Sequence, residues 1–128
     1  MATSLKLQTC IVSSRHAIER LKRGEVVEGY REGGNSMVPL ICHREPVTLA
    51  PVDTSKLEKG DIVLVKVRGR TYTHKVSAMR KGQVQISNNK GHVNGWTRLE
   101  NVFGIVTEVD GRPVSGAEGK TLRLQRQD

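Results

Sequence analysis

Apolar residues along this chain fall in short runs of Val, Ile and Leu separated by turn residues, a pattern of strands rather than of long helices. The exception is near the start, where Ala17, Ile18 and Leu21 recur at helical spacing, basic residues gather at Lys22-Arg23, and Gly24 supplies a stop. This predicts a helix over 14–23. Strands are expected at Leu5–Val12, Glu25–Arg31, Pro46–Ala50, Asp61–Val67, Tyr72–Val76, Val84–Ile86 and Val102–Val106. Gly69-Arg70 marks a hairpin turn. Asp110-Gly111 marks another, with Thr121–Leu124 as its returning strand. Pro51–Lys59 and Lys90–Thr97 read as polar connections, the latter holding His92, Asn94 and Trp96. The fold class is therefore mainly β, with residues 1–24 as an arm and helix and 25–128 as the body of a single domain.

One stretch does not fit a plain strand-and-turn reading: Gly33-Gly34-Asn35-Ser36-Met37-Val38-Pro39-Leu40-Ile41. Two glycines allow a sharp turn and close backbone approach. Ser36 suits a helix N-cap, and Pro39 suits a first helical turn, where its missing N–H costs nothing. A short helix is expected at the serine. Its unpaired N–H groups, near Ser36 and Met37, would favour negative charge beside the hydroxyl.

Composition narrows the picture. At 128 residues the chain is long enough for one real core, and aromatics at 3% leave that core to aliphatic residues. The net charge of +8 is concentrated: between Asp61 and Glu100 there is no acid, while Lys66, Arg68, Arg70, Lys75, Arg80, Lys81, Lys90 and Arg98 all fall there. Such a face suits an acidic partner or weak, salt-sensitive nucleic-acid binding, although no aromatic stacking platform accompanies the charge in sequence. Cys10 and Cys42 form no close pair, which fits two reduced thiols. No apolar run reaches membrane-spanning length and the N-terminus lacks signal-peptide character, so a cytoplasmic location without membrane attachment is expected. His43 beside Cys42, with His92 later, has no metal-ligand spacing, and His16 reads as a helix-surface residue. No metal or cofactor is expected.

Gly34-Asn35-Ser36-Met37-Val38-Pro39 resembles the G-x-S-M-x-P nucleophile motif of the superfamily joining LexA-like self-cleaving repressors to signal peptidases. Gly60-Asp61-Ile62-Val63-Leu64-Val65 is similar to the strand that follows the serine there. Tyr72-Thr73-His74-Lys75-Val76 resembles the strand carrying the catalytic base, and Val102-Phe103-Gly104-Ile105-Val106 the closing strand. The four matches lie in order and cover roughly residues 30–109. The resemblance implies a LexA/signal-peptidase-like β-fold, a small phage or bacterial protein, and a serine peptidase acting on a peptide or protein substrate. Ser36 would attack and His74 would accept its proton.

His74 and Lys75 are both chemically able to act as base. Alternation along a strand puts His74 with Tyr72 and Val76 on the face expected to be covered, and Lys75 towards solvent. A histidine is also largely neutral near neutral pH, whereas a lysine must first be desolvated. Where several relatives carry a Gly-Asp-Asn-like segment, this chain reads Ser87-Asn88-Asn89. Asn88 or Asn89 can hydrogen-bond an imidazole but cannot stabilise an imidazolium as a carboxylate does. The expectation is thus a Ser–His dyad supported by Met37, Asn88 and Asn89. The alternatives are an inactive peptidase-fold module that binds protein or nucleic acid through the basic face, and a small-ligand β-barrel.

Overall fold

The computed structural model describes residues 13–114, so Cys10 and the strands expected at Leu5–Val12 and Thr121–Leu124 lie outside it. Helix α1 (Ser14–Lys22) is followed by β1 (Val27–Tyr30), β2 (Val47–Ala50), β3 (Ile62–Val67), β4 (Arg70–Arg80), β5 (Gln83–Ser87), β6 (Val93–Arg98), β7 (Val102–Val109) and β8 (Arg112–Pro113). Single 3-10 turns occupy Thr54–Lys56 and Leu99–Asn101. Among the described residues the fold is mainly β: one antiparallel sheet in the order β1-β2-β7-β3-β4-β5-β6, with β8 on β7 and one α-helix.

Local chemistry explains the boundaries. Ser13 caps α1 by accepting the His16 N–H at 3.1 Å, and beyond the helix the Glu25 N–H returns to the Arg20 carbonyl at 3.0 Å. Glu25 also pairs with Arg20 and Arg23 at 3.0 and 2.8 Å, and these guanidiniums hold its carboxyl below the usual range. The turn between β3 and β4 is Arg68-Gly69, both with positive φ, one residue earlier than the sequence suggests. Asp110-Gly111, also with positive φ at both positions, makes the expected turn, but the strand that returns on β7 is β8, directly after the turn and earlier than the sequence suggests.

The sheet buries both of its faces through the middle. On β3, Ile62 and Leu64 join a cluster with Ala17, Leu21, Leu49 and Val106 under the helix. Val63, Val65 and Val67 point the other way, into a second cluster with Val76, Val84, Ile86 and Ile105. A strand covered on both sides reads as a continuous apolar run, which Ile62–Val65 is.

The half of the sheet beyond β3 curls back on itself. The Thr97 hydroxyl of β6 donates to the Lys66 carbonyl of β3 at 2.9 Å, and Gly95 packs against Val67 and Arg68. Residues 90–97, expected as a polar loop, therefore contribute most of a strand. The sequence of β6, Val-Asn-Gly-Trp-Thr-Arg, has little apolar alternation of its own, so pairing with β5 and closure onto β3 decide the outcome. Among the described residues no helix is long and apolar enough to cross a membrane.

Candidate active site

The Gly33–Ile41 segment is a series of turns and not a helix. Val38 precedes Pro39 and is thereby disfavoured in the α region, and Pro39 has no N–H to propagate a ladder. One bond of helical span remains, from the Ile41 N–H to the Met37 carbonyl at 3.0 Å. The helix expected at the serine is therefore absent, and with it a helix dipole.

What fixes the loop instead is a set of contacts from distant elements. Its base is closed by the Arg44 N–H on the Glu32 carbonyl at 2.9 Å and by the Arg31 guanidinium on the Arg44 carbonyl at 2.7 Å. Gly34 has φ +108, and its N–H donates to His43 Nδ1 at 2.7 Å. Gly33 is needed for space: a Cβ there would lie 3.0 Å from His43 Cε1. Met37 is 4% exposed and sits in the cluster under α1, an anchor contributing about 1.5–3 kcal/mol. Asn89 reaches in from beyond β5, donating its N–H to the Ser36 carbonyl at 2.8 Å and its side-chain amide to the Val38 carbonyl at 3.0 Å.

This scaffold delivers the serine to β4. Ser36 Oγ lies 3.0 Å from His74 Nε2, and His74 Nδ1 lies 2.7 Å from Asn94 Oδ1. With Asn94 accepting, Nδ1 carries the proton and Nε2 keeps its lone pair for the serine hydroxyl. His74 is buried at 7% exposure, and its ring stacks on Tyr72 with centroids 4.8 Å apart. Burial pushes the imidazole below its ordinary pKa, while the Asn94 bond and the Glu32 charge oppose that shift. Glu32 is itself held by the Tyr30 hydroxyl at 2.8 Å, and burial with this neighbouring charge keeps the phenol protonated. The imidazole is therefore neutral at pH 7, the state in which it accepts a proton. Among the described residues no acceptor engages the Ser36 or Met37 backbone N–H.

The residues singled out in sequence fall into three groups. Ser36, His74 and Met37 are brought together with Asn89, which clamps the serine loop. Asn88 is corrected: its side chain accepts the Lys90 and His92 N–H groups at 2.8 and 2.9 Å and shapes the 88–92 turn, away from the imidazole. Lys75 is corrected as well. It is half-buried and donates to Asn89 Oδ1 at 3.3 Å, so it belongs behind the serine loop instead of on a solvent face. Lys66, Arg68, Arg70, Arg80, Lys81, Lys90 and Arg98 are exposed.

Asn94 and Glu32 are the additions. In the β5–β6 pairing, Ile86 opposes Gly95 and Ser87 opposes Val93, which leaves Asn94 as the extra residue of a bulge. A bulge redirects a side chain out of strict alternation, and here it aims Asn94 at the imidazole. An Asn-Gly dipeptide signals a turn locally, so only the bulge reveals this role.

A cavity of about 460 Å³ adjoins the loop, lined by Pro39 and Leu40, by Glu58–Ile62, and by Val109 with Arg112–Val114. Leu40 is 45% exposed at its edge. Among the described residues no group of three or more His, Cys, Asp and Glu side chains could hold a metal ion.

Comparison with protein-family models, with curated proteins and with solved structures gives no match to this chain.

Proposed function

We propose that the chain is a serine peptidase of LexA/signal-peptidase type, in which Ser36 attacks a peptide carbonyl and His74 is the general base. The observation that carries this reading is the line Ser36 Oγ–His74 Nε2, 3.0 Å, and His74 Nδ1–Asn94 Oδ1, 2.7 Å. A nucleophile, a base within hydrogen-bond reach and a third group orienting the base form the arrangement that acyl transfer requires. His74 takes the hydroxyl proton as Oγ bonds to the carbonyl carbon. The N–H groups of Ser36 and Met37 receive the oxyanion. The imidazolium then returns its proton to the leaving amine, and water repeats the cycle on the acyl-enzyme.

Asn94 replaces the carboxylate of a Ser-His-Asp triad. It fixes the tautomer and ring orientation, as asparagine does in Cys-His-Asn proteases, but leaves the imidazolium less stabilised. That substitution is also what favours the second reading, an inactive module on the same fold. Hydrolysis of a mixed peptide library, followed by mass spectrometry, separates them. Cleavage that persists in Lys75→Ala and disappears in Ser36→Ala and His74→Ala is the expected result. The loss at His74 should be about 10²–10⁴-fold. No cleavage of any peptide by the intact chain favours the inactive module.

A further inference from the structure

We propose that the outer face of the β4–β5–β6 sheet is a binding site for single-stranded nucleic acid, separate from Ser36 and His74. In sequence, Trp96 is 16 residues from Arg80 and apart from most of the basic residues. Strand pairing brings them together. Arg80, Gln83 and Arg98 stand directly opposite one another across β4, β5 and β6, and Gln85 and Trp96 form the next pair along.

The Arg80 guanidinium lies over the Trp96 ring, 4.0 Å from its centroid, and its Nε donates to Gln83 Oε1 at 2.7 Å. That hydrogen bond and the cation–π contact hold the guanidinium over the ring, and Arg80 is exposed. Lys81 follows in the β4–β5 turn. Lys66 joins from β3, whose carbonyl at that residue is bonded by Thr97. All four cations are exposed. No acid occurs from Ile62 to Leu99, and the first one reached is Glu100, at the border beyond Arg98.

Charge of one sign selects a polyanion, and the planar stack selects among polyanions. A guanidinium over an indole offers a planar, cationic group on which an unstacked base can lie, and the flanking cations lie where phosphates on either side would run. Paired bases in a duplex are already stacked and gain nothing from that surface. An acidic protein can offer an aromatic ring only at isolated positions, whereas every nucleotide of a single strand carries a base beside its phosphate.

The chain has one tryptophan, so its emission reports on this face alone. The experiment titrates the full chain with a labelled single-stranded oligonucleotide, reading anisotropy and Trp96 emission together at several salt concentrations. Binding should change the Trp96 emission. It should weaken with salt, and Lys81→Gln with Arg98→Gln should lower the log–log slope by about 1.4, at roughly 0.7 per phosphate contact. The same pair should weaken binding about tenfold. Ser36→Ala should bind as the parent does, and so should a charge-matched control, Arg15→Gln with Lys22→Gln on the helix.

Any of four results would overturn the proposal: no binding at low salt, binding without a change in Trp96 emission, equal loss in the helix control, or duplex or polyglutamate bound as tightly as the single strand.

Discussion

At the scale of single residues the account turns on the protonation of His74, and two neighbours pull it in ways that can be tested separately. Burial lowers the imidazole pKa below 6.5, so the fold favours the neutral form. The sign follows: this contribution to stability is present above the ordinary histidine value and is lost as pH falls through the lower native value. The proposed hydrolysis depends on the same neutral ring. It should therefore be retained at pH 6.5 and lost only at more acidic pH. Glu32 raises the His74 pKa through its charge, so Glu32→Gln should move the midpoint of the pH–rate profile further into acid. Asn94→Asp adds a carboxylate against Nδ1 and should move it the opposite way, with faster turnover above the midpoint. Profiles of kcat/KM for the two variants check this, and movement in the same direction would remove one of the two groups from the site.

At the scale of elements, α1 is seated on β7 through a glycine. A Cβ at Gly104 would lie 2.7 Å from Leu21 Cδ1 and 3.1 Å from the Ala50 carbonyl. Leu21 can yield, but the backbone oxygen cannot easily. Gly104→Ala should destabilise the protein by about 1–3 kcal/mol in urea unfolding. Leu21→Ala in the same chain should recover part of that loss, because the two sites share one contact. The Val-x-Gly-x-Val spacing of the strand is visible in sequence, but its reason is visible only with the helix in place.

The same division runs through the rest of the molecule. Ile62–Val65 and Ala17–Leu21 were legible because apolar spacing is a local signal. Ser36 and His74 were legible because each sits in a distinctive short stretch. Asn94 was not, since its role depends on a bulge created by closure of β6 onto β3. The helix expected at Ser36 failed because Pro39 weighs differently at the fourth residue of a turn whose shape is set by Asn89, His43 and Met37. Lys75 was placed in solvent by alternation alone, which takes no account of Asn89 arriving from beyond β5.

At the scale of the whole molecule, the described chain joins one serine-centred loop to a two-sided sheet, with the basic face on a different surface. The LexA-like repressors that the serine motif resembles cut themselves at a small-residue–glycine bond upstream of the serine, and no Ala-Gly or Cys-Gly pair precedes Ser36. The purified chain should stay intact at alkaline pH, and a Ser36-dependent truncation seen by intact mass would contradict this.

The central claim is that His74 activates Ser36. It is tested most directly by the rate at which a fluorophosphonate modifies the protein, followed by intact mass and peptide mapping. One adduct per chain is expected, on Ser36, formed at a rate that falls as pH drops below the ordinary histidine range and that is lost in His74→Ala. Modification elsewhere, or modification of Ser36 at an unchanged rate without His74, would contradict it.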